Sequence, residues 1–187
     1  MRREVSERRA KRRPTNSYSG APRGTGFLPN SVLRLLHRHG GIVSTSELRS
    51  VHVDQTHLEL LRYYGSLQAV RQGWHCHPSL PDVNRLAWRF GGPLACVSAL
   101  AYYDALDSGR EPTTLTLGDL SDDGRLHVCV VSNQPRIPGT ALLARRWSIS
   151  EPREPSIHWS TAAYRSGDRL AVARHVALLQ ADRCDDT

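Results

Sequence analysis

Lysine is nearly missing from this sequence. Among 25 lysines and arginines in 187 residues, Lys11 is the only lysine. A restriction-type nuclease needs clustered carboxylates and normally a lysine beside the metal, so that chemistry is a poor fit. Cysteine is sparse as well. Cys76, Cys96, Cys129 and Cys184 are scattered and form no Cys-x-x-Cys pair, which argues against a disulfide scaffold and against a zinc ribbon. Buried, reduced thiols are the expectation. Long apolar runs are absent: none approaches the ~20 residues that span a bilayer. The basic N-terminal stretch lacks the apolar segment of a secretory signal, so the chain is expected to be soluble and cytoplasmic, with no membrane partner.

Catalytic motifs are missing too. There is no Walker loop, no Gly-x-Ser-x-Gly and no His-Glu-x-x-His, and Gly65-Ser66 is not followed by an Asp-x-Asp pair. His127, His158 and His175 have no sequence neighbours that suggest a triad. The reading is of a protein that is not an enzyme and needs no cofactor.

What the sequence has in excess is charge at one end. The formal net charge is +7, and residues 1–26 hold eight basic residues, Arg2, Arg3, Arg8, Arg9, Lys11, Arg12, Arg13 and Arg23, against Glu4 and Glu7. The rest of the chain is close to neutral. A like-charged block of this kind is expected to be disordered and to contact a polyanion. "RREVSERRAKRRP" has almost no apolar face to insert into a membrane surface. It leads into "PTNSYSGAPRGTG", a linker by composition.

Periodicity begins near Phe27. In "LPNSVLRLLHRHGG" Val32, Leu35 and Leu36 fall at helical spacing, with Asn30 as N-cap and Gly40-Gly41 as the stop. Ile42 and Val43 read as a short extended stretch. Ser44 precedes Glu47 by three residues, the pattern of a capping box, so a second helix should bury Leu48 and Val51. After "HVD", Asp54 should cap "QTHLELLRYYG", with Leu58 and Leu61 on one face and Gly65 at the end. "LQAVRQGWHCH" reads as two strands turning at about Arg71–Gly73. Helix, short helix, turn, helix, hairpin is the order of a winged helix-turn-helix, whose last helix enters a DNA major groove. The candidate DNA-contacting residues are Ser44 and Thr45 at the second helix, and Gln55, Thr56, His57, Glu59, Arg62 and Tyr63 on the third. Arg71 and Gln72 at the wing tip and Arg8, Arg9, Lys11, Arg12 and Arg13 in the tail complete the set. A protein-interaction module would use the same helices.

"WHCH" raises a metal question. His75 and His77 share a strand face and Cys76 points away. Zinc needs at least one further protein ligand, usually in a second cluster, and the sequence offers none. No metal site is expected.

Residues 81–187 read as a small α+β domain, which makes the whole chain α+β: a tail over 1–26, a winged helix over 27–80 and this domain. Asp82 should cap "VNRLAWRF", and Pro93 should open a helix, "LACVSALAYYDAL", that buries Leu94, Val97, Leu100 and Ala101. "TTLTL", "RLHVCVV", "RRWSI" and "SIHWS" read as strands and "SDDG" as a turn. "RLAVARHVALLQADRC" should close as a helix with Val172, Val176 and Leu179 inside.

"LHRHGGIVSTSELRSVHVDQTHLELLRYYGSLQAVRQGWHCHP" resembles the N-terminal winged-helix domain of AbiEi-type antitoxins, of type IV toxin–antitoxin systems. The matching features are the Gly-Gly after the first helix, "STSEL", the Gly-x-Leu after the third helix and the Arg-x-Gly wing. "AWRFGGPLACVSALAYYDAL", "LHVCVVSNQPR" and "IHWS" are similar to later family blocks. The resemblance implies a DNA-binding antitoxin or regulator that represses its own promoter at repeated operator sequences. Contact would fall on Gln55, Thr56, Glu59, Tyr63 and Arg71. A toxin encoded by a neighbouring gene is then a candidate partner beside double-stranded DNA, and repeated half-sites would call for a homodimer. Family members usually carry several arginines on the third helix, where this chain has "QTHLELLRYY". Many continue into a nuclease-like extension that is missing after Thr187. The expectation is therefore a free-standing phage or actinobacterial repressor, the alternative an antitoxin or interaction module acting through a partner protein.

Overall fold

Asn30–Arg38 forms the first helix, α1, because Val32, Leu35 and Leu36 line one face and are buried together. Pro29, not Asn30, holds the N-cap position; Asn30 is already helical. Gly40 and Gly41 adopt φ of 62° and 86°, and the Gly41 N–H bonds the Leu36 carbonyl at 2.7 Å, so the chain reverses in two residues. This computed structural model describes residues 28–120, 124–131 and 154–184. The tail residues Arg8, Arg9, Lys11, Arg12 and Arg13 lie outside them, as do "RRWSI" and Ser121 to Asp123 of "SDDG".

Strand β1, Ile42–Ser44, leads into α2, Thr45–Ser50. The capping box is present: the Glu47 N–H donates to Ser44 Oγ at 3.2 Å, and the Ser44 N–H donates to Glu47 Oε2 at 2.8 Å. Helix α3, Gln55–Tyr63, follows, with Asp54 Oδ1 accepting from the His57 N–H at 2.8 Å. Strands β2, Gln68–Arg71, and β3, Trp74–Cys76, form a hairpin that turns at Gln72-Gly73. β3 also pairs antiparallel with β1, so the sheet has the order β1-β3-β2. Leu48, Val53, Leu58, Leu61 and Leu67 close over α1 as one cluster.

Helix α4, Asp82–Phe90, opens after Pro81, with Asp82 inside the first turn. Helix α5, Cys96–Asp107, starts two residues after Leu94, which is extended and bridges Val128 on one side and Ala171 on the other. Pro93 therefore does not open the helix. The inward face of α5 is Cys96, Ser98, Ala99, Tyr102 and Ala105, one step round from the face expected. "TTLTL" is no strand but lies across two 3-10 turns, at Pro112–Thr114 and Leu117–Asp119. β4, His127–Val130, and β5, Ser156–Trp159, pair in parallel, and all four residues of β4 are buried. Helix α6, Thr161–Tyr164, was not expected from the sequence. In the last helix, α7, Arg174–Cys184, Ala177 is the buried residue and Leu179 is 57% exposed. The chain is thus mixed α+β, with seven helices among the described residues, none of them long and apolar enough to cross a membrane.

The two halves share a third cluster, in which Ile42, Val70, Cys76 and Leu80 surround Trp88, with Trp74, Tyr164 and Leu170 at its edge. An ion pair crosses the same seam. Arg169 grips both oxygens of Glu47, Nη1 to Oε2 at 2.8 Å and Nη2 to Oε1, and Nη1 also donates to the Ile42 carbonyl at 2.7 Å. Burial pushes the Glu47 carboxyl up, but hydrogen bonds from Arg169 and from Ser44 outweigh it and bring it from 4.5 to about 2.

A depressed carboxylate stabilises the fold above its unfolded value and loses that contribution as pH falls through the folded one. In acid titration followed by circular dichroism, Glu47 should contribute its share of the stability loss between pH 4.5 and about 2. Glu47→Gln should flatten the loss across that window. At neutral pH it should cost about 1–2 kcal/mol, less than a fully buried pair would, because the two side chains keep 20% and 27% exposure.

Candidate nucleic-acid interface

Helix α3 is the most prominent outward-facing element of the N-terminal half. Leu58 and Leu61 anchor it, and the rest of its surface faces water. Gln55, Thr56, His57, Glu59, Arg62 and Tyr63 are all exposed. Thr56, Glu59, Leu60 and Tyr63 recur at i, i+3, i+4 and i+7, so they form the stripe opposite the anchors. The Asp54 cap fixes the start of the helix, and the His57 ring returns to it with Nδ1 3.0 Å from Oδ1. The hydrogen bond from the His57 N–H holds the Asp54 carboxyl below its ordinary value.

Two of these side chains act as a unit. Gln55 Nε2 donates to Glu59 Oε1 at 2.8 Å. The Gln55 carbonyl and the other Glu59 oxygen remain acceptors, so the pair suits the exocyclic amino groups of cytosine and adenine better than the acceptor edge of guanine. Thr56 beside them offers a hydroxyl and a methyl. Arg62 stands near the hairpin: after burial, its charge is the second cause of the lowered proton affinity of His75.

The sequence matches no protein-family model and no curated protein. What the chain can do rests on its own residues.

Three expected contacts are otherwise engaged. Arg71 is half-buried, and its Nη1 donates to the Gly91 carbonyl at 2.8 Å, which ties β2 to the end of α4 instead of leaving the guanidinium at the hairpin tip. Gln72 and Gly73 are the exposed residues there. Ser44 Oγ is occupied by the capping box, and Thr45 Oγ1 bonds His75 Nε2 at 3.0 Å, so both hydroxyls serve the junction of α2 with the sheet. His75 is buried against Thr45, while His77 pairs with Ser79, its Nδ1 2.6 Å from Oγ. Trp74–Cys76 of the "WHCH" stretch is thus the central strand of the sheet, and His77 follows it.

The sequence reading named Tyr63 on this surface and missed Leu60 and Tyr64. Leu60 is 47%, Tyr63 83% and Tyr64 58% exposed. Pro29, Val51, Val53 and Leu61 line a shallow groove beside Leu60 and Tyr64. The signal was in the sequence, since Leu60 sits out of phase with Leu58 and Leu61. Residues of metal-ligating type gather in the other half, where Cys96, His127, His158 and Cys184 converge.

Proposed function

We propose that residues 30–76 are a winged helix-turn-helix and that the chain is a DNA-binding transcriptional regulator, repressing its own or a neighbouring promoter. The observation that carries this reading is α3. It is a capped helix of nine residues with Gln55, Thr56, Glu59 and Tyr63 facing water, followed at once by a hairpin whose tip, Gln72-Gly73, is exposed. Such a rod can lie in a major groove while the hairpin meets the backbone. Few cations stand on the helix itself, so the eight basic residues of positions 1–26 would supply phosphate contacts.

The test is fluorescence anisotropy of the full chain on a duplex from its own upstream region and on a scrambled duplex, at two salt concentrations. Preferential binding to the upstream duplex is expected, with log K falling against log salt at a slope of about −0.9 per phosphate neutralised. Deleting residues 2–13 should flatten the slope and keep the preference. Replacing Gln55 and Thr56 with alanine should cost about 1–3 kcal/mol on the upstream duplex and little on the scrambled one. Equal binding to both duplexes by the native chain would sink the reading.

The exposed Leu60, Tyr63 and Tyr64 favour a second reading, an antitoxin or interaction module whose α3 docks on a partner protein. Co-purification with the product of the adjacent gene, lost on Leu60→Asp but not on Gln55→Ala, would select it.

A further inference from the structure

The last helix, the parallel strand pair and the start of α5 meet at four side chains that the sequence keeps far apart. Cys96 is the first residue of α5, His127 the first of β4, His158 lies in β5, and Cys184 ends the described part of α7. Their ligand atoms, two thiol sulfurs and two ring nitrogens, all lie within 4.8 Å of one another. His127 Nδ1 is 3.2 Å from His158 Nε2 and 3.7 Å from Cys184 Sγ. Zinc bonds nitrogen at about 2.0–2.1 Å and sulfur at about 2.3 Å, so a tetrahedral site has nitrogen–nitrogen edges of ~3.3 Å and nitrogen–sulfur edges of ~3.6 Å. The two distances from His127 Nδ1 match such edges, and the remaining four between the ligand atoms are no longer than 4.8 Å.

The surroundings hold these groups in place. Cys96 has φ of 50°, an uncommon left-handed conformation for a residue with a side chain. Its N–H donates to Gln180 Oε1 of α7 at 3.1 Å. The His127 N–H donates to the buried Ser98 Oγ at 3.0 Å. Cys96 and His127 are buried, while His158 and Cys184 are partly exposed, which leaves a path for an ion. The other three cysteine and histidine groupings of interest do not compete: Cys76 lies in the Trp88 cluster, Cys129 directs its thiol to the Ser160 carbonyl, and His75 bonds Thr45 while His77 pairs with Ser79.

We propose that Cys96, His127, His158 and Cys184 form a Cys2His2 site for a structural zinc ion. Four protein ligands complete a tetrahedron and leave no position for substrate, so the ion fastens α7 and β5 to the α5–β4 core and has no catalytic task. The two cysteines bind as thiolates and the two histidines as neutral imidazoles, so zinc uptake releases the thiol protons to solvent. This departs from the sequence expectation of no metal, which sought a local pair of ligands. It stands apart from the DNA-binding reading, because a structural zinc serves either function.

The test uses the full chain, purified under reducing conditions without a metal-chelating column. About one zinc per chain is expected by elemental analysis. After chelation, Co2+ titration should give the intense visible bands of a tetrahedral site and the charge-transfer band of thiolate ligation, and Zn2+ should bleach both. Cys184→Ser should weaken zinc binding by more than the ~10–100-fold that loss of an outer-shell partner brings. His175→Ala, at an exposed position on α7, should leave affinity and bands unchanged. The cobalt spectrum of the unaltered chain decides the matter even if Cys184→Ser does not fold. No stoichiometric zinc together with an octahedral cobalt spectrum would overturn the proposal, as would zinc bound equally well by Cys184→Ser. A Cys96–Cys184 disulfide in the freshly purified chain, with no metal taken up after reduction, would overturn it too.

Discussion

Alanine at position 92 is expected to cost about 3 kcal/mol or more, at or above the upper end of what overpacking costs in a core. The reason is close approach, not conformational freedom. A Cβ at Gly92 would stand 2.1 Å from the Cys129 carbonyl oxygen and 2.8 Å from Tyr164 Cε2. Neither can step aside easily. Cys129 is in β4, and its N–H bonds the Pro93 carbonyl at 2.9 Å, while Leu94 bridges both Val128 and Ala171. Residues 92–94 are therefore laced to a buried strand, and a methyl group there would push β4 away from α5. Urea denaturation of the full chain measures the cost. Gly118→Ala is the control: the nearest atom to its Cβ would be Thr116 Oγ1 at 3.9 Å, ordinary contact, and its effect should stay within about 0.5 kcal/mol. A Gly92→Ala variant as stable as that control would show that β4 is not held as described.

The N-terminal half was legible because its signals are local. The Ser44–Glu47 box, the Asp54 cap and the spacing of Val32, Leu35, Leu36, Leu58 and Leu61 each act within one or two turns, and each appears in the fold. The small differences there are of the same local kind, such as Pro29 displacing Asn30 as cap. The second half was harder because its decisions are long-range. Leu94 looks like the start of a helix, yet it is drawn out by pairing with Val128 and Ala171 from elsewhere in the chain. β4 alternates in no useful way, since α4, α5 and α6 all pack against it and its four residues are buried. Arg71 looked like a phosphate contact because nothing in the sequence says that the end of α4 passes beside it and presents the Gly91 carbonyl. The Cys2His2 cluster was illegible for the same reason. Its ligands come from four elements, and sequence motifs for zinc rely on pairs within a few residues.

The largest loss of stability from a single side chain is expected at Trp88, where alanine should cost about 3–5 kcal/mol. Trp88 is 1% exposed and sits where α4 meets the three-stranded sheet. Its ring lies 4.3 Å from that of Trp74, centroid to centroid, and 6.1 Å from that of Tyr164. Its Nε1 donates to the Arg169 carbonyl at 2.6 Å, so it fastens the same segment whose guanidinium grips Glu47. Truncation opens a cavity and leaves that carbonyl unsatisfied at once. Trp88→Phe keeps much of the volume and loses the donor; it should cost about 1–3 kcal/mol, which separates the two contributions. A cycle with Trp74→Ala should show coupling of about 0.5–1.5 kcal/mol if the ring contact contributes beyond burial. Because β3 carries Trp74 and forms one arm of the hairpin after α3, loosening this joint frees the hairpin from the second half. If DNA is read by α3 together with the hairpin, Trp88→Phe should weaken specific binding even at temperatures where the variant remains folded. Unchanged affinity for the specific duplex would mean that α3 alone carries recognition.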